Sequence, residues 1–86
     1  MTEHKLLHKS NKFMLTSHRS KYYIYYRIEV TVIQKLYATE TDIETYSEHF
    51  KLNTHRSGNG WWEYTDEEHA KSLYNWAVLK WNDDVT

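Results

Sequence analysis

The sequence predicts an α+β domain. It reads as a three-stranded antiparallel meander over about residues 22–38, 44–53 and 60–64, packed against one C-terminal helix over about 66–82, with residues 1–21 as a basic N-terminal arm. Three observations predict it: a long period-two run from Tyr22, a helix cap followed by a 3.6-period apolar stripe after Thr65, and an aromatic content of 16% in a chain of 86 residues. A chain this short buries a modest share of its surface, and with no cysteine it has no disulfide or thiolate metal site to stiffen it. Large aromatic side chains supply the burial instead, and Tyr and Trp also suit a binding face.

The arm is read from charge. Residues 1–21 hold Lys5, Lys9, Lys12, Arg19 and Lys21 against Glu3 alone, while residues 22–86 hold six basic and eleven acidic residues. Such an arm suits phosphate, an acidic partner or the acidic body of the protein itself. The whole-chain pI of about 6.6 falls short of a strongly basic nucleic-acid binder.

Tyr22, Ile24, Tyr26, Ile28, Val30, Val32, Leu36 and Ala38 share one parity, and Tyr23, Tyr25, Arg27 and Glu29 fall on the other. β-branched and aromatic residues at period two make a strand with one buried face. Residues 39–54 fit two patterns. Thr41 with Glu44 would cap a helix carrying Ile43, Tyr46 and Phe50 on one side, and Tyr46, Phe50 and Leu52 share the parity of a strand. The strand is preferred because the first strand needs a partner. Ser57-Gly58-Asn59-Gly60 is the clearest turn signal, and it leads into a short strand with Trp62 and Tyr64 on one face and Trp61 on the other.

Thr65-Asp66-Glu67-Glu68 is a capping box, and its acids suit the positive end of the helix dipole. Ala70, Leu73, Tyr74, Ala77, Val78 and Trp81 then form the core stripe of the helix. Trp76 and Leu79 miss that stripe and sit together on the opposite side. They call for a cover: the arm residues Leu6, Leu7, Phe13, Met14 and Leu15, or another protein.

Chemistry-bearing motifs are few. His4 and His8 lack further ligands, and no HExxH occurs, so no metal is expected and histidine is read as solvated or hydrogen-bonded. Gly58 and Gly60 match no phosphate-binding loop, and no G-x-S-x-G occurs, so neither a cofactor nor a catalytic residue is assigned. The carboxylates near Glu44 and Glu67 find no cleft in a single sheet layer, and the second group is explained by capping. No apolar run reaches the length of a signal or membrane span, and the expected location is the cytoplasm. The loop from Asn53 to Trp62 gathers His55, Arg56 and Trp61, residue types used at interface hot spots and for stacking single-stranded nucleic acid.

Residues Trp61-Trp62-Glu63-Tyr64-Thr65-Asp66-Glu67-Glu68-His69-Ala70, with the later Leu79-Lys80-Trp81, resemble the ends of small uncharacterised proteins of tailed bacteriophages, including cyanophages. That resemblance implies a virus-encoded accessory protein with no assigned chemistry, acting in the host cytoplasm. The function expected is a non-catalytic interaction module, with a homodimer as one form of it. The interaction candidates are Trp76, Leu79, Arg56, Trp61 and His55. The alternative is nucleic-acid binding through the arm and the Arg56/Trp61 loop, and a small enzyme ranks third.

Overall fold

The structure, a computed structural model, describes residues 3–30, 40–51, 54–58 and 60–80. It is an α+β fold in which a five-stranded antiparallel sheet carries its helices on one face. In chain order the elements are β1 (Glu3–Lys9), β2 (Phe13–Arg19), β3 (Ile24–Val30), α1 (Glu40–Phe50), β4 (Arg56–Gly58), β5 (Trp61–Tyr64) and α2 (Glu67–Lys80). The strands lie side by side as β1-β2-β3-β5-β4. No helix among the described residues is long and apolar enough to cross a membrane.

The N-terminal residues are not an arm. They form the β1–β2 hairpin, and β2 pairs along all of β3 from Phe13↔Val30 to Arg19↔Ile24. Two tight turns make this possible without glycine. Ser10 donates its backbone N–H to the Phe13 carbonyl at 2.8 Å, and its hydroxyl accepts from the Phe13 N–H at 3.0 Å. At the next turn the Ser20 N–H bonds the Tyr23 carbonyl at 2.9 Å, and the Ser20 hydroxyl accepts from the Tyr22 N–H at 3.2 Å. Serine side chains here do the turn-closing work that the sequence reading sought from Gly and Pro.

The second correction concerns residues 44–53, expected as a strand. Residues through Phe50 belong to α1, the helical alternative. The reason is pairing: β3 already has β2 on one side and β5 on the other, so no edge of it is open to a further strand. Its C-terminal His49 also suits the helix dipole. The Phe50 carbonyl at the end of α1 accepts from the Thr54 hydroxyl at 2.8 Å and from the Tyr64 hydroxyl, which ties the helix to β5. The side chains of Ile43 and Tyr46 lie outside the described residues.

The other expected elements are found, with one departure in the first strand: it begins at Ile24, and Tyr22, expected on its buried face, is 86% exposed. Tyr26, Ile28 and Val30 bury their shared face, although the described strand ends at Val30 and residues 31–38 lie outside what is described. Trp62 and Tyr64 point into the core, and Gly60 takes the positive φ of 80° that turns β4 into β5. In α2, Ala70, Leu73, Tyr74, Ala77 and Val78 are buried, as the stripe predicts, while Trp81 lies outside the described residues. The Ala70 N–H bonds the Asp66 carbonyl at 3.1 Å, so Asp66 rather than Thr65 holds the cap position. The core is one cluster in which Phe13 and Leu15 of β2, Ile28 of β3, Phe50 of α1 and Trp62 of β5 meet the α2 stripe.

Candidate functional site

Strand alternation sends every second residue away from the helices. By register, His4, Thr16, His18, Tyr25, Arg27, Trp61, Glu63 and Arg56 share that other face. Both helices pack on the core side, so among the described residues no helix lies over it. This face is where titratable and aromatic side chains converge.

Its centre is a carboxylate between two guanidinium groups. Arg27 donates from Nε and Nη2 to Oε2 of Glu63 at 3.0 and 2.7 Å, and Arg56 donates from Nε to Oε1 at 2.9 Å. The Glu63 side chain is 0% exposed. Burial alone would push its carboxyl up, but the bonds and charges of Arg27 and Arg56 hold it below the ordinary carboxylate value. Arg27 also reaches Glu29 at 3.4 Å. Trp61 lies beside this group, with the Arg27 guanidinium 4.7 Å and the Arg56 guanidinium 5.7 Å from its ring centre. The indole lies across β4 at Gly58, where an added Cβ would overlap the ring.

A row of rings runs beside the arginines. His4 meets His18 edge-on at 4.3 Å, His18 stacks on Tyr25 at 4.8 Å, and Tyr25 stacks on Tyr23 at 5.5 Å. His18 is buried, and its Nε2 bonds the Thr16 hydroxyl at 2.9 Å. Burial first, then the neighbouring His4 and Arg27, push its pKa below the ordinary histidine value. Tyr23 is half-exposed at the open end of the row. A cleft of about 290 Å³ opens there, lined by Tyr23, Tyr25, His55, Arg56, Glu63 and Thr65.

The structure thus brings three of the predicted interaction residues together: Arg56 and Trp61 are in contact, and His55 lines the same cleft as Arg56. The other two sit elsewhere. Trp76 stacks on His49 of α1 with ring centres 3.4 Å apart, so α1 covers part of it, whereas Leu79 is 77% exposed. The N-terminal residues expected over this pair instead enter the sheet, with Phe13 and Leu15 in the core.

Four contributors escaped the sequence reading: Arg27, Glu63, His18 and Tyr25. A signal for two of them was present, since the outward parity of β3 reads Tyr23, Tyr25, Arg27, Glu29, which is aromatic and charged rather than simply polar. Glu63 was hidden between aromatics, and its ion pair to Arg27 spans 36 positions.

His4 and His8 do not act together. The register shift between Leu6 and His8 sends His8 to the helix side, where it stacks on Tyr74 at 5.6 Å. Among the described residues no group of three or more histidines and carboxylates is placed to hold a metal ion. Comparison with known proteins finds no family model, no curated protein and no solved structure that matches the chain.

Proposed function

We propose that this chain is a small non-catalytic binding module that engages its partner through the helix-free face of the sheet. One observation carries the reading: the ring row ending at Tyr23 and the Arg27–Glu63–Arg56 group beside Trp61 share one face, and a cleft opens between them. Tyr, Trp and Arg are the side chains that dominate binding energy at interfaces. Glu63 has both oxygens occupied by arginines, so its chemistry is to fix those arginines in place rather than to exchange protons. A viral accessory role is part of this proposal, and it rests on the likeness of residues 61–70 and 79–81 alone.

The test is a photo-crosslinking residue placed at Tyr23 and, separately, at Leu79 in cells that express the full chain. Adducts at position 23 that are absent or weaker at 79 are expected. Adducts at 79 alone, or at neither position, would overturn the proposal.

A second reading is favoured by the exposure of Leu79 beside Trp76: a second copy of the chain docks on the outer side of α2. Light scattering checks it, and a strict monomer at high concentration removes it.

A further inference from the structure

We propose that the occupant of the helix-free face is single-stranded nucleic acid, its bases stacked on the Tyr23 end of the ring row and its phosphates met by Arg56, His55 and Lys21. This rests on the preceding reading of the face and names its partner.

Charge division is the first support. The strands and their turns, residues 3–30 and 56–64, carry seven basic residues (Lys5, Lys9, Lys12, Arg19, Lys21, Arg27, Arg56) against Glu3, Glu29 and Glu63. The helical segments, residues 40–51 and 66–80, carry seven acidic residues against Lys51, Lys71 and Lys80. A net charge of −1 therefore conceals a positive sheet layer and a negative helix layer. By register Lys5 and Arg19 face the helix side, beside Tyr26 and Glu67. The outer face and the turns keep Lys9, Lys12, Lys21, Arg27 and Arg56 against Glu29 and Glu63, and a polyanion is drawn to that excess and repelled by the acidic helices.

Ring geometry is the second support. His18, Tyr25 and Tyr23 form a stack with interplanar angles of 6° and 18°, and Tyr23 ends it half-exposed. An unpaired base continues such a stack whatever its identity, because every base has a π-face. At the same end of the sheet, Tyr22 is 86% exposed with the Lys21 ammonium 5.7 Å from its ring centre. Among the described residues Arg56 bonds Glu63 through Nε, which leaves its terminal nitrogens for a phosphate, and its side chain is 60% exposed. Exposed rings interleaved with cations at one end of the sheet are the chemistry of a single strand. Duplex reading would need a helix or ribbon in the major groove, and both helices here are on the acidic side.

The experiment is fluorescence anisotropy of the full chain with a labelled oligothymidylate of about 20 nucleotides, and with a duplex of equal length. The single strand is expected to bind more tightly than the duplex. The two cationic phosphate contacts, Arg56 and Lys21, predict roughly a sevenfold loss of affinity between about 50 and about 200 mM salt. Tyr23→Ala, at a half-exposed position, is expected to weaken binding about tenfold with an unchanged circular dichroism spectrum. Lys71→Ala, on the far side of the molecule, is expected to leave binding as it was.

Absence of binding at low salt, equal affinity for the duplex, or indifference to Tyr23→Ala would each overturn the proposal. Displacement by polyglutamate of a strand that ignores Tyr23→Ala would reduce the face to an acidic-peptide site and overturn it as well. If the oligonucleotide fails while a crosslinker at Tyr23 still captures a protein, the nucleic-acid inference falls and the binding face stands.

Discussion

The two faces of this sheet are built from alternate residues of the same strands, yet they hold together by different physics. On the helix side, Phe13, Leu15, Ile28, Trp62 and Tyr64 are excluded from water by α1 and α2, and their contribution scales with apolar area. On the other side, order comes from pairwise interactions with fixed geometry: two arginines on one carboxylate, and rings stacked in a row. Apolar packing is indifferent to pH and salt in a way that the second face cannot be. The difference separates a surface made to fold from a surface arranged to recognise.

Substitutions that strip one face at a time sharpen this contrast. The largest effect is expected from Trp62→Ala. The side chain is 2% exposed in the middle of the core, and its removal should cost about 4 kcal/mol in urea unfolding. That is most of the stability of a small domain. Next comes Glu63→Ala, which leaves Arg27 and Arg56 facing each other without their carboxylate. A loss of about 3 kcal/mol is expected, with Trp61 fluorescence changed because both flanking guanidinium groups are freed. Should Glu63→Ala prove as stable as the parent, the claim that ion pairing organises the outer face would fail.

Acid titration reads the outer face through His18 and Glu63, with His49, stacked on Trp76, as a helix-side contributor. His18 and His49 are held below the histidine value of 6.5, chiefly by burial, so the folded chain binds fewer protons there than the unfolded chain. Their contribution is therefore complete above about pH 6.5 and is lost as pH falls from there through the folded-state values. Glu63 is held below 4.5, so its contribution is present above that value and is lost as pH falls through its own lowered pKa. Stability against urea should decline in two stages. His18→Phe is expected to shrink the upper stage and Glu63→Gln the lower one. A single stage unaffected by either variant would contradict the assignment.

Smaller effects belong to the outer side of α2. Trp76→Ala loses a stacked pair with His49 and should cost about 1 kcal/mol, whereas Leu79→Ala, at 77% exposure, should stay within about 0.5 kcal/mol of the parent by the same assay. Equal losses at the two positions would show that the outer side is covered more fully than His49 alone explains.

What could be read in advance divides along local and long-range lines. The α2 stripe, the inward parity of β3 and the split of Trp61 from Trp62 follow from periodicity within a few residues, and the structure places them as expected. The β1–β2 hairpin escaped because its turn closes through Ser10, and the following β2–β3 turn through Ser20, rather than glycine, and because β1 is too polar to announce a strand. The choice between strand and helix for residues 44–53 turned on which strand flanks β3, a fact set by β2 and β5 together and invisible in the segment itself. The site behaved alike. His55, Arg56 and Trp61 stood out as residue types in one loop. The groups that make them a surface, Arg27, Glu63 and His18, arrive through pairings across the sheet.

The division of labour between the faces is tested most directly by one paired measurement on Tyr23→Ala: urea stability and partner crosslinking, or strand binding, in the same preparation. Stability within about 0.5 kcal/mol of the parent together with a large loss of binding is the predicted result. Retained binding with a loss of stability approaching that of Trp62→Ala would mean that the helix-free face is a second packing surface, and would contradict the account.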